Sequence, residues 1–250
     1  MIIDPRAAPT PPLPAAVQNN ADWCAAVCRS HGVPGTTQGG LWAGSRRTPP
    51  LYPDAVTLSP DVRPEAVLPR IDTTSPGASV KDSFGTLDLS AAGFEVLFEA
   101  QWIHCPAWRS TRGPGGWQPI EGPERLAAWE AAWSGEGESG GADTGDRENA
   151  GLFRPSLLAE GAVFLAGTAA DGRIVAGAIA YSAASVVGIS NLFTADDDLD
   201  TAWRSCLQAT DRLWPGVPVV GYEHGDDLTA ALRQGFEPVG PLRVWLRADG

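Results

Sequence analysis

The order in which apolar runs and amphipathic stretches alternate between residues 162 and 247 limits this chain more than any other feature. The segment reads as strand, strand, strand, helix, strand, helix, strand. Three pieces carry that reading: DGRIVAGAIAY at 171–181, VVGISNLFT at 186–194 running into a helix, and ALRQGFEPVG at 231–240. Between the second strand and its helix lies the turn Ala195-Asp196-Asp197-Asp198-Leu199-Asp200. A helix N-terminus attracts anions through unpaired N–H groups and the positive end of its dipole. Four aspartates in such a turn cap those donors themselves and repel a diphosphate, and without glycine the backbone cannot approach a ligand closely.

At 250 residues and 26.2 kDa the chain holds one large domain or two small ones, and 43% hydrophobic residues supply a genuine core. A net charge of −12 argues against nucleic acid, whose phosphates demand basic stripes. No apolar run approaches the ~20 residues of a membrane helix. The N-terminal MIIDPRAAPTPPLPAA lacks a basic start followed by an apolar block, so residues 1–15 read as a flexible tail and not as a signal peptide. Lys81 is the only lysine among 18 basic residues, a bias expected of a high-GC, actinobacterial genome. Cys24, Cys28, Cys105 and Cys206 show no repeated spacing, which implies a reduced, cytoplasmic protein.

Upstream, residues 16–31 predict a helix ended by Gly32 and Pro34. Residues 35–53, rich in Gly, Pro and Arg, predict no regular structure. A strand at 55–58, a helix from about Pro64 to Ile71 and strands over 78–88 and 94–103 follow. Residues 106–119 read as a linker and 124–133 as a short helix. Residues 134–149 read as a mobile acidic loop that can be deleted without loss of stability.

The three C-terminal pieces resemble the second half of a GNAT-type (GCN5-related) N-acyltransferase. The resemblance implies a mixed, mainly antiparallel α/β sheet flanked by helices. It further implies two strands, 186–193 and 217–222, that part into a V-shaped opening. In that family the turn after the first of these strands is rich in Arg, Gln and Gly and holds the coenzyme A diphosphate; here it is the aspartate turn. An internal echo adds a second expectation. Asp88-Leu89 leading to Gly93-Phe94-Glu95 resembles Asp227-Leu228 leading to Gly235-Phe236-Glu237, each followed by a strand ending in Trp and an aliphatic residue. Residues 16–105 then read either as a shrunken GNAT-like half in a tandem protein or as a chance likeness between two strands that follow glycine.

Amine acylation needs a base for the ammonium proton and an acid for the leaving group. The family's usual acid, a Tyr four residues before the Gly of the Gly-Phe element, is replaced by Ala231. Tyr222-Glu223-His224-Gly225-Asp226-Asp227 is the densest titratable set in the chain and closes a strand. Glu223 and His224 are therefore the catalytic candidates, with Tyr222 and Asp226 as substrate contacts. A polar turn capping the next helix is the plainer reading. Ser190 and Asn191 are polar residues on an otherwise apolar strand that need partners, either a ligand or a neighbouring backbone group. Cys24, Cys28 and His31 share a helix face, with His104 and Cys105 further on, but without a CxxC pair they read as packing residues rather than a metal site. Lys81 beside Asp82 reads as a surface ion pair or as a titratable amine, and Arg46-Arg47 as solvated loop charges or a phosphate contact.

These expectations converge on a cytoplasmic acyltransferase of specialised metabolism acting on a small-molecule amine or amino acid. No cofactor would be tightly bound. The donor is an acyl thioester carried by a carrier protein, an aminoacyl ester, or a weakly held coenzyme A. The alternatives are a non-catalytic binding or regulatory module and a lyase or hydrolase on the same fold.

Overall fold

Eleven strands join into one sheet in the computed structural model, which describes residues 12–75, 77–106, 116–135 and 151–247. The elements run α1 (Pro12–Ser30), β1 (Gly35–Gln38), β2 (Leu41–Gly44), β3 (Ala55–Thr57), α2 (Pro64–Val67), β4 (Ser79–Asp82), β5 (Phe94–Cys105) and β6 (Gln118–Pro119). They continue α3 (Pro123–Trp133), α4 (Ser156–Ala159), β7 (Ala162–Thr168), β8 (Ile174–Ala183), β9 (Val186–Thr194), α5 (Leu199–Leu213), β10 (Val219–Glu223), α6 (Gly225–Arg233) and β11 (Glu237–Arg247). The strand–helix succession expected after residue 162 is present throughout. The sheet is mixed and mostly antiparallel; among its pairings β3–β4 and β9–β10 run parallel.

The strand order is β1-β2-β3-β4-β11-β5-β10-β9-β8-β7-β6. A hairpin, an antiparallel third strand, a helical crossover to a parallel fourth strand, and a final strand occur twice. The first series is β1 to β5 and the second β7 to β11. The two final strands change places: β5 lies against β10, β11 lies against β4, and the two pair with each other at the centre. Ala100 sits opposite Leu242 in that central pairing. Two residues along each strand, Trp102 faces Tyr222 of β10 and Val244 faces Lys81 of β4. Tyr222 and Lys81 thus hold equivalent places in the two halves. The echoed glycines, Gly93 and Gly235, have φ of 79° and 95°, a left-handed stop after the 3₁₀ turn Ser90–Ala92 and after α6.

Several boundaries differ from expectation. Residues 35–44 are a β-hairpin, not irregular chain: Gly39 and Gly40 have φ of 59° and 75°, the conformation a two-residue primed turn requires. Part of the expected linker, Gln118–Pro119, is a strand on β7. The expected strand over 78–88 is confined to Ser79–Asp82, because the buried Asp82 carboxylate accepts the N–H groups of Phe84 and Leu87 and turns the chain. Helix α1 starts four residues early, at Pro12. Residues 1–11, most of the linker, and the acidic stretch from 136 lie outside the described residues.

α1 lies across the centre of one face and α5 and α6 cover the other. Its Ala15, Ala16 and Val17 pack on Ala100, Trp102, Val220 and Leu242. Buried Asn19 donates to the carbonyls of Tyr181 (2.9 Å) and Ala183 (3.2 Å), tying the β8–β9 turn to the helix. On the opposite face, Trp203, Leu207, Ala230 and Phe236 close a second core over Ile103, Val187 and Val219.

Candidate functional site

Strands β9 and β10 are paired only at Val187–Val219 and Gly188–Val220, beyond which they diverge. A bulge widens the gap. Ile179 of β8 faces Ser190 and Gly177 faces Phe193, so Asn191 and Leu192 together oppose Ala178. Asn191 takes a left-handed φ of 54° there. The extra residue turns both Ser190 and Asn191 toward the α1 face, where they line one small cavity.

Successive strand residues point to opposite faces, and β10 follows that rule. Tyr222 lies on the α1 face, its ring edge-on to Trp102 at 5.4 Å. Glu223 points to the α5–α6 face beside Asp227. One wall carrying Tyr222, Glu223 and His224 together is therefore not what the strand delivers. His224 is exposed, lies against Phe98 at 5.7 Å and precedes α6 as its N-cap residue without a capping side-chain bond. Asp226 is exposed in the first turn of α6.

On the α1 face the cavity, about 70 Å³, is lined by Asn20 and Cys24 of α1, Tyr52, Lys81, Ser190, Asn191 and Tyr222. Lys81 is 4% exposed. It is not the surface ion pair that the Lys81-Asp82 neighbourhood suggests, because alternation turns Asp82 to the other side of β4. The Lys81 ammonium donates to Asn20 Oδ1 (2.8 Å) and to the Tyr222 hydroxyl (3.3 Å) and sits 4.5 Å from that ring's centre. Asn20 and Tyr52 did not stand out as site residues in the sequence; Lys81 did, with a titratable amine as one of its two readings. The one available signal was an isolated lysine in a chain that otherwise uses arginine.

On the α5–α6 face, burial and the nearby Asp227 carboxylate raise the Glu223 pKa to about 8. The adjoining groove, about 640 Å³, is lined by Asp197, Asp198, Asp200, Asp226, Asp227 and Arg233 among others. The aspartate turn occupies its own donors. Asp198 caps α5 by accepting the Thr201 N–H (3.0 Å), and Asp196 accepts from the Thr194 hydroxyl and from the Asp198 N–H. Arg233 is held by Asp200 at 2.9 Å. A groove with five carboxylates, whose arginine is already paired, does not fit the diphosphate of coenzyme A.

The remaining candidates lie elsewhere or are engaged. Arg47 pairs with buried Asp54 and donates to the carbonyls of Asp72 and Ser75, and Arg46 donates to Gly32 O, so Arg47 is not a free phosphate contact. Cys24 and Cys28 are buried thiols whose pKa burial raises, and His31 Nε2 bonds Leu152 O at 2.8 Å. His104 and Cys105 end β5, and Cys105 packs in the core on the α5–α6 face. Among the described residues no group of three or more His, Cys, Asp or Glu side chains converges on a metal position, and no helix is long and apolar enough to cross a membrane.

No family model and no curated protein sequence matches the chain. Solved structures do. A GCN5-related N-acetyltransferase from Kribbella flavida is 15% identical, with a TM-score of 0.58 over 94% of this chain and 96% of that one. The fold is GNAT-like. A GNAT-family protein from Novosphingobium aromaticivorans DSM 12444 is also 15% identical, with a TM-score of 0.57 over 96% of this chain and 100% of that one. A functionally unknown protein from Staphylococcus epidermidis ATCC 12228 is 12% identical, with a TM-score of 0.54 over 71% and 74%. For the first two the GNAT-like match runs the length of the chain, N-terminal half included.

Proposed function

We propose that the chain is a tandem GNAT-like acyltransferase that modifies a small-molecule amine or amino acid at the opening between β9 and β10. The observation that carries this reading is Glu223: a half-buried carboxyl with a pKa of about 8 at the edge of the opening. A base of that strength is matched to an ammonium group near neutral pH. Glu223 takes one proton from the ammonium, the amine nitrogen bonds to the acyl carbonyl carbon and releases a second proton to solvent, and the bond to the leaving oxygen or sulfur breaks. Protonated Glu223 then returns the proton to that leaving atom, the part for which Ala231 offers no group. Ser190 and Asn191 hold the acceptor on the α1 side, and His224 and Asp226 line the approach from the other.

The acidic groove favours a donor other than free coenzyme A, such as an acyl thioester on a carrier protein or an aminoacyl ester. The four cysteines are all buried and unpaired, which suits a reducing, cytoplasmic setting. The deciding experiment is a transfer assay with a panel of amines and amino acids against carrier-bound, aminoacyl and coenzyme A donors. Glu223→Gln is expected to lower turnover by about 10²-fold or more with the fold retained. Turnover unchanged in that variant overturns the assignment. Retention of a bound metabolite with no transfer from any donor would instead favour the binding-module reading, which the apolar Ala231 at the family's acid position also suits.

A further inference from the structure

Lys81 is a buried charge for which the described residues supply no carboxylate counter-ion. Taking an ammonium out of water costs several kcal/mol unless an opposite charge or several good acceptors replace the solvent. Lys81 has one strong acceptor, Asn20 Oδ1, and a longer bond to a phenol. No carboxylate among the described residues pairs with it. The groups around it from the elements packed there are Cys24 of α1, Tyr52 of the loop before β3 and Tyr222 of β10. Burial raises the pKa of Cys24, and raises that of Tyr52 well above its ordinary value, so neither is an anion near neutral pH. Lys81 itself is shifted upward from 10.5: desolvation is the largest influence and opposes the charge, while Tyr222 and Cys24, once ionised, and the hydrogen bond to the Tyr222 hydroxyl favour it. The amine therefore stays protonated, which removes it as a nucleophile or Schiff-base former and leaves it as a fixed positive charge.

Its surroundings are arranged for a ligand. The cavity beside the ammonium is about 70 Å³, room for a carboxyl group and little more. Ser190 and Asn191 line it, and no hydrogen bond within the described residues engages the Ser190 hydroxyl or the Asn191 amide. Buried Pro53 and Leu152 complete the lining together with Leu51, which is 68% exposed and held at a left-handed φ of 66°. Polar donors set among apolar wall residues select a small molecule with an anionic head.

We infer that this cavity binds the carboxylate of the acceptor, with Lys81 as the counter-charge and Ser190 and Asn191 as neutral donors, so that the substrate class is an amine bearing a carboxylate. The inference deepens the acyltransferase reading and rests on it for the word acceptor, but it stands on binding and not on turnover.

Because Lys81 is the only lysine in the chain, lysine labelled with ¹³C at Cε gives the full-length protein a single side-chain resonance. Acetate and glycine are expected to move that resonance saturably. Acetamide and glycinamide, alike in shape and lacking the charge, are expected not to. Inorganic phosphate serves as the larger anion and is expected to bind more weakly. Ser190→Ala and Asn191→Ala, at partly exposed positions, should each weaken glycine binding about tenfold, roughly the loss of one charge-assisted hydrogen bond. Lys81→Met should abolish glycine-dependent thermal stabilisation and leave the unfolding midpoint of the free protein unchanged or higher, since it removes an uncompensated buried charge. If Lys81→Met fails to fold, the resonance and the Ser190 and Asn191 variants decide alone. Equal response to carboxylate and amide, stronger binding of phosphate, or no saturable shift overturns the inference. A carboxylate-specific shift without transfer from any donor removes the acyltransferase reading and leaves the anion site standing. Transfer without the shift does the reverse.

Discussion

Glu223 and Lys81 are titratable groups that the sheet buries on opposite faces. Glu223 carries a folded pKa of about 8 against an ordinary value of 4.5, so the folded protein binds a proton that the unfolded chain has released. The sign follows: this group's contribution to stability is complete below about pH 4.5 and is lost as pH rises through about 8. Urea midpoints measured between pH 5 and 8.5 should fall with pH in the native protein, and Glu223→Gln should flatten that slope. A second residue-scale test concerns Gly188, where a methyl group would collide with Asn19 Oδ1. Gly188→Ala should cost about 1–3 kcal/mol in urea unfolding, because Asn19 must then give up its hold on the β8–β9 turn. Some of this was legible. Ser190 and Asn191 were visible as polar breaks in an apolar strand, and both reach the cavity. The facing of Tyr222 and Glu223 was equally available from the period of two, but a dense run of titratable residues reads as one cluster unless alternation is imposed on it. The burial of Lys81 was not available, since it depends on α1 lying across a strand about sixty residues later in the chain.

At the scale of single elements, α5 shows what its aspartates do. Asp198 caps the helix and Asp200 binds Arg233 of α6, so the acidic turn fastens two helices. Asp198→Ala should lower stability by about 1 kcal/mol, read from chemical denaturation. Calorimetry with acetyl-coenzyme A should show no low-micromolar binding to the native protein; such binding would mean that other groups neutralise the phosphates. The hairpin of β1 and β2 is where elements were least legible. Gly39-Gly40 followed by Leu41-Trp42 has the chemistry of a two-residue primed turn. The prolines and arginines around it outweighed that signal. Strand β6 was hidden for a related reason: a two-residue strand is made by its partner β7 and has no periodicity of its own.

Across the whole molecule, the central pairing of β5 with β11 decides what is separable. The echo around Gly93-Phe94 and Gly235-Phe236 was visible in sequence, but the exchange of the two final strands was not, because strand pairing at long range leaves no local mark. In each half the fourth strand pairs with the other half's final strand, so either half taken alone leaves that edge unpaired. Residues 1–106 expressed alone should therefore show no cooperative thermal transition by circular dichroism, and should gain one when mixed with residues 107–250. Independent folding of the first fragment would count against the exchange as a stabilising feature.

During synthesis the same exchange sets an order of events. β4 emerges from the ribosome long before its neighbour β11, and the gap between them is filled only when residues 237–247 have been made. The first half must wait as an open sheet through most of translation, the state in which nascent chains associate with one another. Chaperone demand for this protein should be governed by how fast its last strand is delivered.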